Sequence, residues 1–251
     1  MKNGEIRIIG VREIPEVSKG DDIAALIIEA LRRQGDTLKE DDIVIVTQKI
    51  VSKAEGRVRW LTSYKPSKRA IKLATKLGKD PKHVQAILEE SKKILRAEKG
   101  VIIAETKHGL ICANAGIDQS NVRQNMVSLL PKDPDASARN IKNNIKKKTG
   151  VGIAVIISDT FGRPFREGHV NAAIGVAGLN PVKDYRGKGD GYGNILKVTT
   201  IAVADEIASA AELATGKLAR IPVVVLRGYK YQRGAKGSKG LIRPFSQNLF
   251  R

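Results

Sequence analysis

A single cysteine, Cys112, in 251 residues leaves no partner for an internal disulfide. The fold therefore cannot rest on a cross-linked scaffold, and a reducing cytoplasm is the expected location. Cys112 lies in the apolar run LICANAG and reads as a small buried hydrophobe rather than a reactive thiol. No apolar run approaches the ~20 residues of a membrane helix, and the opening MKNGEIRIIG lacks the long apolar core of a signal peptide. A soluble protein with no membrane partner is expected. Aromatic residues make up only 4% of the chain, and none of the usual nucleic-acid domain motifs is present. There is also no GxxxxGK[ST] loop, and the glycines from Gly187 to Gly193 do not follow a strand and open a helix, which excludes the common phosphate-loop and dinucleotide fingerprints.

Acidic residues stop at Glu212, yet Lys217, Arg220, Arg227, Lys230, Arg233, Lys236, Lys239, Arg243 and Arg251 follow. With a formal net charge of +19, the chain attracts anions of every kind. The segment RGYKYQRGAKGSKG, Arg227 to Gly240, mixes cations with tyrosines and glycines. It suits a nucleic acid, or a mobile basic loop closing over a phosphorylated substrate. At 41% hydrophobic content the chain can bury a proper core, as one large domain or two small interleaved ones.

Helical and strand patterns alternate. Ala25–Gln34 has helical spacing between the capping Asp21 and Asp22 and the stop at Gly35, whereas Asp42–Gln48 is a short β-branched strand that delivers Gln48 and Lys49 to a strand-to-loop junction. Ser67–Gly78 and Pro81–Leu95 read as helices, with His83 a solvated first-turn residue. Val101–Thr106 and Gly109–Gly116 form an expected hairpin that turns at Lys107 and His108. Asp133–Gly150 reads as a capped basic helix, and the most apolar run, Val151–Ser158, as a buried strand ending at Asp159. A strand over Leu196–Val203, a helix over Ala204–Thr215 and a strand over Val223–Leu226 complete the pattern.

Three segments carry the chemistry: QKIVSKAEGR (Gln48–Arg57), NAGIDQSN (Asn114–Asn121) and SDTFGRPFREG (Ser158–Gly168). Each sets cations, amides or carboxylates beside glycine after an apolar run. Lys49, Lys53 and Arg57 are suited to phosphate oxygens, and Asp118 and Asp159 to hard divalent cations. Each residue also has a plainer role open to it: the first segment as a solvated turn, Asp118 as a loop cap.

Together these segments resemble the coenzyme F-420:gamma-L-glutamate ligase family, whose members add glutamate to the lactyl phosphate tail of a deazaflavin coenzyme. The likeness runs from IPEVSKGDD at Ile14–Asp22 to VVVLRG at Val223–Gly228. It implies an α/β (mixed α+β) fold with mixed sheets flanked by helices, two interleaved lobes and an intertwined homodimer. It further implies GTP as co-substrate, with Ile14, Pro15, Glu16 and Val17 near the base or ribose, Gln48, Lys49 and Lys53 at the phosphates, and Asn121, Gly216 and Lys217 also at the nucleotide. Mg2+ or Mn2+ would sit on Asp118, Asp159 and Thr160, with K+ as a further cation of the family. The catalytic set is then Lys53, Asp118 and Asp159. The implied reaction joins the lactyl carboxylate to L-glutamate through an acyl phosphate and then extends through gamma-linked glutamate. Arg163, Arg166 and the basic tail are candidates for the coenzyme phosphate or the glutamate carboxylates. One departure stands out: Lys217 falls where the family often has a metal-holding carboxylate or amide, and a protonated lysine can only contact phosphate. The chain carries no fused reductase domain and reads as one ligase unit over 1–251. A related carboxylate–amine ligase with another acceptor and a basic nucleic-acid-binding protein are the alternative readings.

Overall fold

A computed structural model of the chain describes residues 4–248. Strand β1 (Arg7–Val11) leads to helix α1 (Ile23–Arg33), where Asp22 accepts the Ala25 N–H at 3.2 Å as N-cap and Arg32 and Arg33 face the negative helix end. Strand β2 (Ile43–Thr47) runs without a break into the short helix α2 (Gln48–Ala54). The chain then builds β3 (Val58–Trp60), α3 (Lys68–Leu77), α4 (Pro81–Glu90), β4 (Ser91–Glu98), β5 (Val101–Thr106), β6 (Ile111–Ala113) and β7 (Met126–Ser128). Helix α5 (Pro134–Thr149) follows, capped by Asp133 and stopped by Gly150 in the left-handed region at φ 77°. Next come β8 (Ala154–Arg163), β9 (Arg166–Ala177), the short pair β10 (Lys183–Asp184) and β11 (Thr200–Ile201), helix α6 (Val203–Thr215) and β12 (Val223–Arg227).

The central sheet has the order β1-β12-β2-β8-β9, with β2 and β8 parallel and every other neighbour antiparallel. Alternation along the buried strands sends Val44, Val46, Val155, Ile157, Val223 and Val225 to a face covered by α1 and α5. Ile43, Ile45, Ile156, Val224 and Leu226 face α6 on the other side. The result is a mixed α/β layering, as the residue pattern and the resemblance both lead one to expect.

Between α2 and α5 the chain builds a second core, with Leu61, Ala74, Ile87, Ile102, Ala104 and Val127 packed among α3, α4 and the β4-β5-β6 sheet. The short β3–β7 pair and the Asp118–Ser128 bridge join this lobe to the first near the C-terminal end of β2. Edge strand β9 is covered rather than left open. Asp205 accepts the Ala173 N–H at 2.8 Å, Ser209 donates to the Asn171 carbonyl at 2.8 Å, and Asp135 accepts the Val176 N–H at 2.7 Å. The first two bonds fix α6 against β9 and so set where the end of that helix lies.

Several expectations are corrected. The helix expected over Pro81–Leu95 stops at Glu90, because Ser91 opens β4. The strand expected over Leu196–Val203 contracts to Thr200–Ile201, with Val198 83% exposed. Gln48 and Lys49 open a helix rather than a loop. Strand β8 does not end at Asp159 but runs on to Arg163 in a long hairpin with β9. Arg251, the last cation of the basic tail, lies outside the described residues.

Candidate functional site

The parallel strands β2 and β8 end side by side, with Thr47 opposite Ser158, and a cavity of about 570 Å3 opens beyond them. Ligands bind at this end of parallel strands because the backbone there turns away and leaves polar groups free. Strand β2 delivers Thr47 and passes into α2, whose Gln48, Lys49 and Lys53 face the cavity. Strand β8 delivers Ser158, Asp159 and Thr160 just past a bulge opposite β9. Such a bulge re-aims the side chains that follow it. The close approach of α5 to β9 requires Gly175, since a Cβ there would lie 2.4 Å from the Pro134 carbonyl oxygen.

Every nucleotide, metal and catalytic position implied by the resemblance lines this one cavity. Ile14, Pro15, Glu16 and Val17 form one wall, and Gln48, Lys49 and Lys53 the next. Asp118 and Asn121 come from the second lobe, Asp159 and Thr160 from β8, and Gly216 and Lys217 from the loop after α6. Asn121 holds a left-handed backbone at φ 54°, which asparagine tolerates. Arg57 does not join them: it pairs with Glu90 at 2.6 Å and donates to the Leu130 carbonyl at 2.9 Å, tying the lobes together. Arg163 and Arg166 sit at the β8–β9 turn and line no part of the cavity, and Arg163 is bonded to the Glu167 and Gly168 carbonyls. Of the basic tail, Lys217 and Arg220 line the cavity, but the segment from Arg227 to Gly240 does not. Arg227 is buried against Asp36 and Asp42, and Arg233 pairs with Glu40 and Asp41, so the expected loop closing over substrate is not formed by this segment.

Charges in the cavity are partly paired. Lys49 Nζ forms an ion pair with Asp118 and also donates to the Ser120 carbonyl and hydroxyl, both at 2.7 Å. Asp118 in turn accepts the Ser120 N–H at 2.7 Å and its hydroxyl at 2.6 Å, so it caps its loop as well as facing the cavity. Burial works to raise the Asp118 carboxyl, but the hydrogen bonds from Lys49 and Ser120 outweigh it and hold it below the usual range. Lys53 pairs with Glu16. Gln48 is buried, with its Oε1 2.8 Å from Ser52 Oγ.

Asp159 differs. Burial pushes its carboxyl up to about 7, offset in part by the Thr160 N–H and the Lys49 charge, with Asp118 adding to the rise. A partly buried carboxylate so weakly compensated gains from a nearby dication. Asp118, Asp159 and the Thr160 hydroxyl supply only hard oxygen donors, the set that Mg2+ and Mn2+ prefer when phosphate oxygens and water complete the shell. Among the described residues no group of three or more His, Cys, Asp or Glu side chains is placed to hold a metal by itself. The donor set therefore fits an ion shared with a phosphorylated ligand.

Sequence reasoning missed a polar chain on the cavity floor. Lys217 Nζ donates to Thr160 Oγ1 at 3.0 Å, Thr160 donates to Asn171 Oδ1 at 2.9 Å, and Asn171 Nδ2 donates to Glu212 Oε2 at 2.8 Å. Thr160 and Asn171 are directly opposed across β8 and β9, which explains the contact. A buried Asn171 within the apolar run NAAIGVAG was the available signal. Glu212 carried none, because one acid on an amphipathic helix looks like a solvated face.

The family model described as F420-0:gamma-glutamyl ligase matches residues 11–228. A coenzyme F420:L-glutamate ligase of Methanothermobacter thermautotrophicus is 49% identical over 98% of this chain and 99% of that protein. Proteins of the same name from Methanocaldococcus jannaschii and Haloarcula marismortui are each 43% identical, over 98% of this chain and 97% and 96% of their own lengths.

Proposed function

The chain belongs to the F420-0:gamma-glutamyl ligase family, and on that premise we propose that it joins the lactyl carboxylate of the deazaflavin coenzyme precursor to L-glutamate at the expense of GTP. A carboxylate is a poor acyl donor. Transfer of the γ-phosphoryl group to the lactyl carboxylate gives an acyl phosphate and GDP. The glutamate amine then attacks the acyl carbon and inorganic phosphate leaves. A second round uses the gamma-carboxylate of the first glutamate as acyl donor.

The observation that supports this reading best is the convergence of Lys49, Lys53, Asp118, Asp159 and Thr160 on a single cavity, with Lys49 already paired to Asp118. Lys49 and Lys53 neutralise the oxygens of the transferring phosphoryl group and keep its donor and acceptor in line. Ile14 to Val17 wall the base or ribose, and Gln48 and Asn121 orient the nucleotide. A divalent cation bound by Asp118, Asp159 and Thr160 supplies charge neutralisation at the phosphate oxygens. Loading the site requires Lys49 to exchange Asp118 for phosphate. A reducing cytoplasm suits the lone buried thiol. No helix among the described residues is long and apolar enough to cross a membrane. A homodimer belongs to the same proposal, supported by the exposure of Tyr192, Val198, Leu213 and Leu218 at 83–95%.

The test is a mass-spectrometric ligation assay with the deazaflavin precursor, L-glutamate, GTP and Mg2+ or Mn2+, omitting each in turn. Glutamyl products that need all four are expected. GTP hydrolysis without product would make the acceptor wrong, and neither product nor hydrolysis would defeat the proposal.

A further inference from the structure

We infer that a second cavity, at the opposite end of the central sheet, binds a phosphoryl anion of the size of orthophosphate or pyrophosphate. It encloses about 320 Å3, and Glu40, Lys142, Lys146, Tyr231 and Arg233 line it among several glycines. Ile153 lines this cavity and Ser158 the first, so the two are about 17 Å apart along β8. One wall is the basic segment read in the sequence as anion-seeking, which has no place at the first cavity. That segment is laid along the chain that follows β9. The Asn180 N–H donates to the Gln232 carbonyl at 2.8 Å, and Gly234 fits so closely that a Cβ there would stand 1.7 Å from Asn180 Oδ1.

The donors of this cavity are uncommitted. Among the described residues Lys142 and Lys146 make no ion pair or hydrogen bond, whereas Arg139 and Lys148 of the same helix pair with Asp133 and Asp22. Lys142 and Lys146 are spaced i, i+4 on one helix face, where like charges repel unless an anion joins them. The helix dipole accounts for Lys146 in the last turn but not for Lys142 before it. Lys142 is partly buried, its stem lying over the Gly178 backbone, where a Cβ would meet its Cε at 3.1 Å. Arg233 uses only Nη2 on Glu40 and Asp41, which leaves Nε and Nη1 free to donate. Tyr231 has no hydrogen-bond partner among the described residues, and burial pushes its hydroxyl up to about 12, so it stays a neutral donor. Glu40, the one carboxylate lining the cavity among the described residues, is already satisfied: Oε2 accepts the Gly152 N–H at 2.7 Å and Oε1 the Arg233 guanidinium at 3.1 Å.

These groups identify the ligand class. Two ammonium groups and a guanidinium against one neutralised carboxylate select an anion. A flat carboxylate is satisfied by a single guanidinium fork, whereas a phosphoryl group carries oxygens on several sides and takes donors from several elements at once. The volume is at the small end for ligand pockets. Tyr231 is the one aromatic ring that lines it among the described residues, and that ring packs against the α6-side core, which leaves no free face for a base. The occupant is therefore the phosphoryl group itself. Bound there, it ties α5 on one face of the sheet to the segment beyond β12, and so holds the basic segment in place.

The test is titration calorimetry with pyrophosphate at constant ionic strength, in a Lys49→Met/Lys53→Met protein that lacks the phosphate contacts proposed for the first cavity. Saturable binding is expected there, and adding Lys142→Gln/Lys146→Gln should weaken it at least about tenfold. Lys68→Gln/Lys72→Gln removes an exposed lysine pair of the same spacing on α3 and should change the affinity by less than about twofold. In the otherwise wild-type protein, Lys142→Gln/Lys146→Gln should remove one equivalent of bound pyrophosphate, a reading that needs no change in the first cavity. Absence of saturable binding would overturn the site. An equal loss in the two lysine pairs would do the same, since only the diffuse charge of the protein would then be at work. Stronger binding of orthophosphate or pyrophosphate than of GTP supports a free anion as the occupant, and GTP binding that is equally lost in Lys142→Gln/Lys146→Gln supports the phosphates of a nucleotide. Ligation by Lys142→Gln/Lys146→Gln is expected at the wild-type rate, and a failure of the ligase reading leaves these titrations unaffected.

Discussion

Lys49, at the start of α2, forms an ion pair with Asp118, 69 positions later in the chain. The pair closes the cavity on itself: the cation suited to phosphate is held by a carboxylate suited to metal. Each ligand therefore frees the group the other needs, and metal and nucleotide should bind cooperatively. Lys49→Met removes a phosphate contact and leaves Asp118 uncompensated. GTP affinity should fall by about 2 kcal/mol, roughly 30-fold, while Mn2+ should bind the nucleotide-free variant more tightly than it binds wild type. Calorimetry and Mn2+ paramagnetic resonance measure both. Weaker metal binding in the variant would show that the pair does not compete with the ion.

His83, expected in the sequence as a solvated first-turn residue, is partly buried, and its Nε2 is buried without a hydrogen-bond partner. Burial, and next to it the Lys79 charge, lower its pKa. The native state therefore binds fewer protons than the unfolded chain, so stability is full above the unfolded value near 6.5 and is lost as pH falls through it. The loss stops growing once native His83 is protonated as well. His83→Gln cannot titrate, and the gap between its urea midpoint and that of wild type should shift in favour of the variant as pH drops from 7.5 to 5. An NMR titration of His83 at or above 6.5 would contradict this account.

Cys112 sits on β6, 7% exposed, and burial pushes its thiol up to about 12, helped by the Asp159 charge. The folded protein at pH 8 should then hold roughly one thiolate in ten thousand. Iodoacetamide is expected to leave native protein unlabelled for hours and to label it fully in urea, read by intact mass. Rapid native labelling would mean that the β5–β6 hairpin opens readily.

The sequence made the cavity legible where polar residues follow buried strand positions at once, as Thr47 ends β2 with Gln48 and Lys49 behind it and as Asp159 and Thr160 continue β8. It hid β4 for a physical reason. Register shifts at Ser91/Lys93 and Ile94/Arg96 break the two-residue alternation, leaving the half-buried positions at Ser91, Ile94 and Ala97. A spacing of three imitates a helix, and the run continues directly from α4. Glu212 stayed hidden because its meaning comes from α6 docking on β9 through Asp205 and Ser209, a tertiary contact with no local pattern. The basic tail misled for the converse reason. Arg227 reads as surface charge until the sheet places it against acids roughly 190 residues earlier.

That buried cluster supplies the last prediction. Arg227 ends β12 opposite the start of β2, at the end of both strands away from the cavity. It binds Asp42 through Nε at 2.9 Å and Nη2 at 2.8 Å, reaches Asp36 at 3.2 Å, and donates to the Thr37 carbonyl at 2.8 Å. Asp42 is 1% exposed, so removing the guanidinium strands a charge without water. Arg227→Met should cost roughly 3–5 kcal/mol of unfolding free energy, and Asp42→Asn a similar amount. The double variant should lose clearly less than the sum, because neither charge is then left alone. Urea unfolding of the four proteins measures the coupling, and strict additivity would mean that the pair contributes nothing beyond its packing. Since Asp42 and Arg227 sit at the far ends of β2 and β12 from Thr47 and Pro222, the variants should keep wild-type KM values at temperatures where they remain folded. A change in KM would show that strain at this end of the sheet reaches the cavity through the strands themselves.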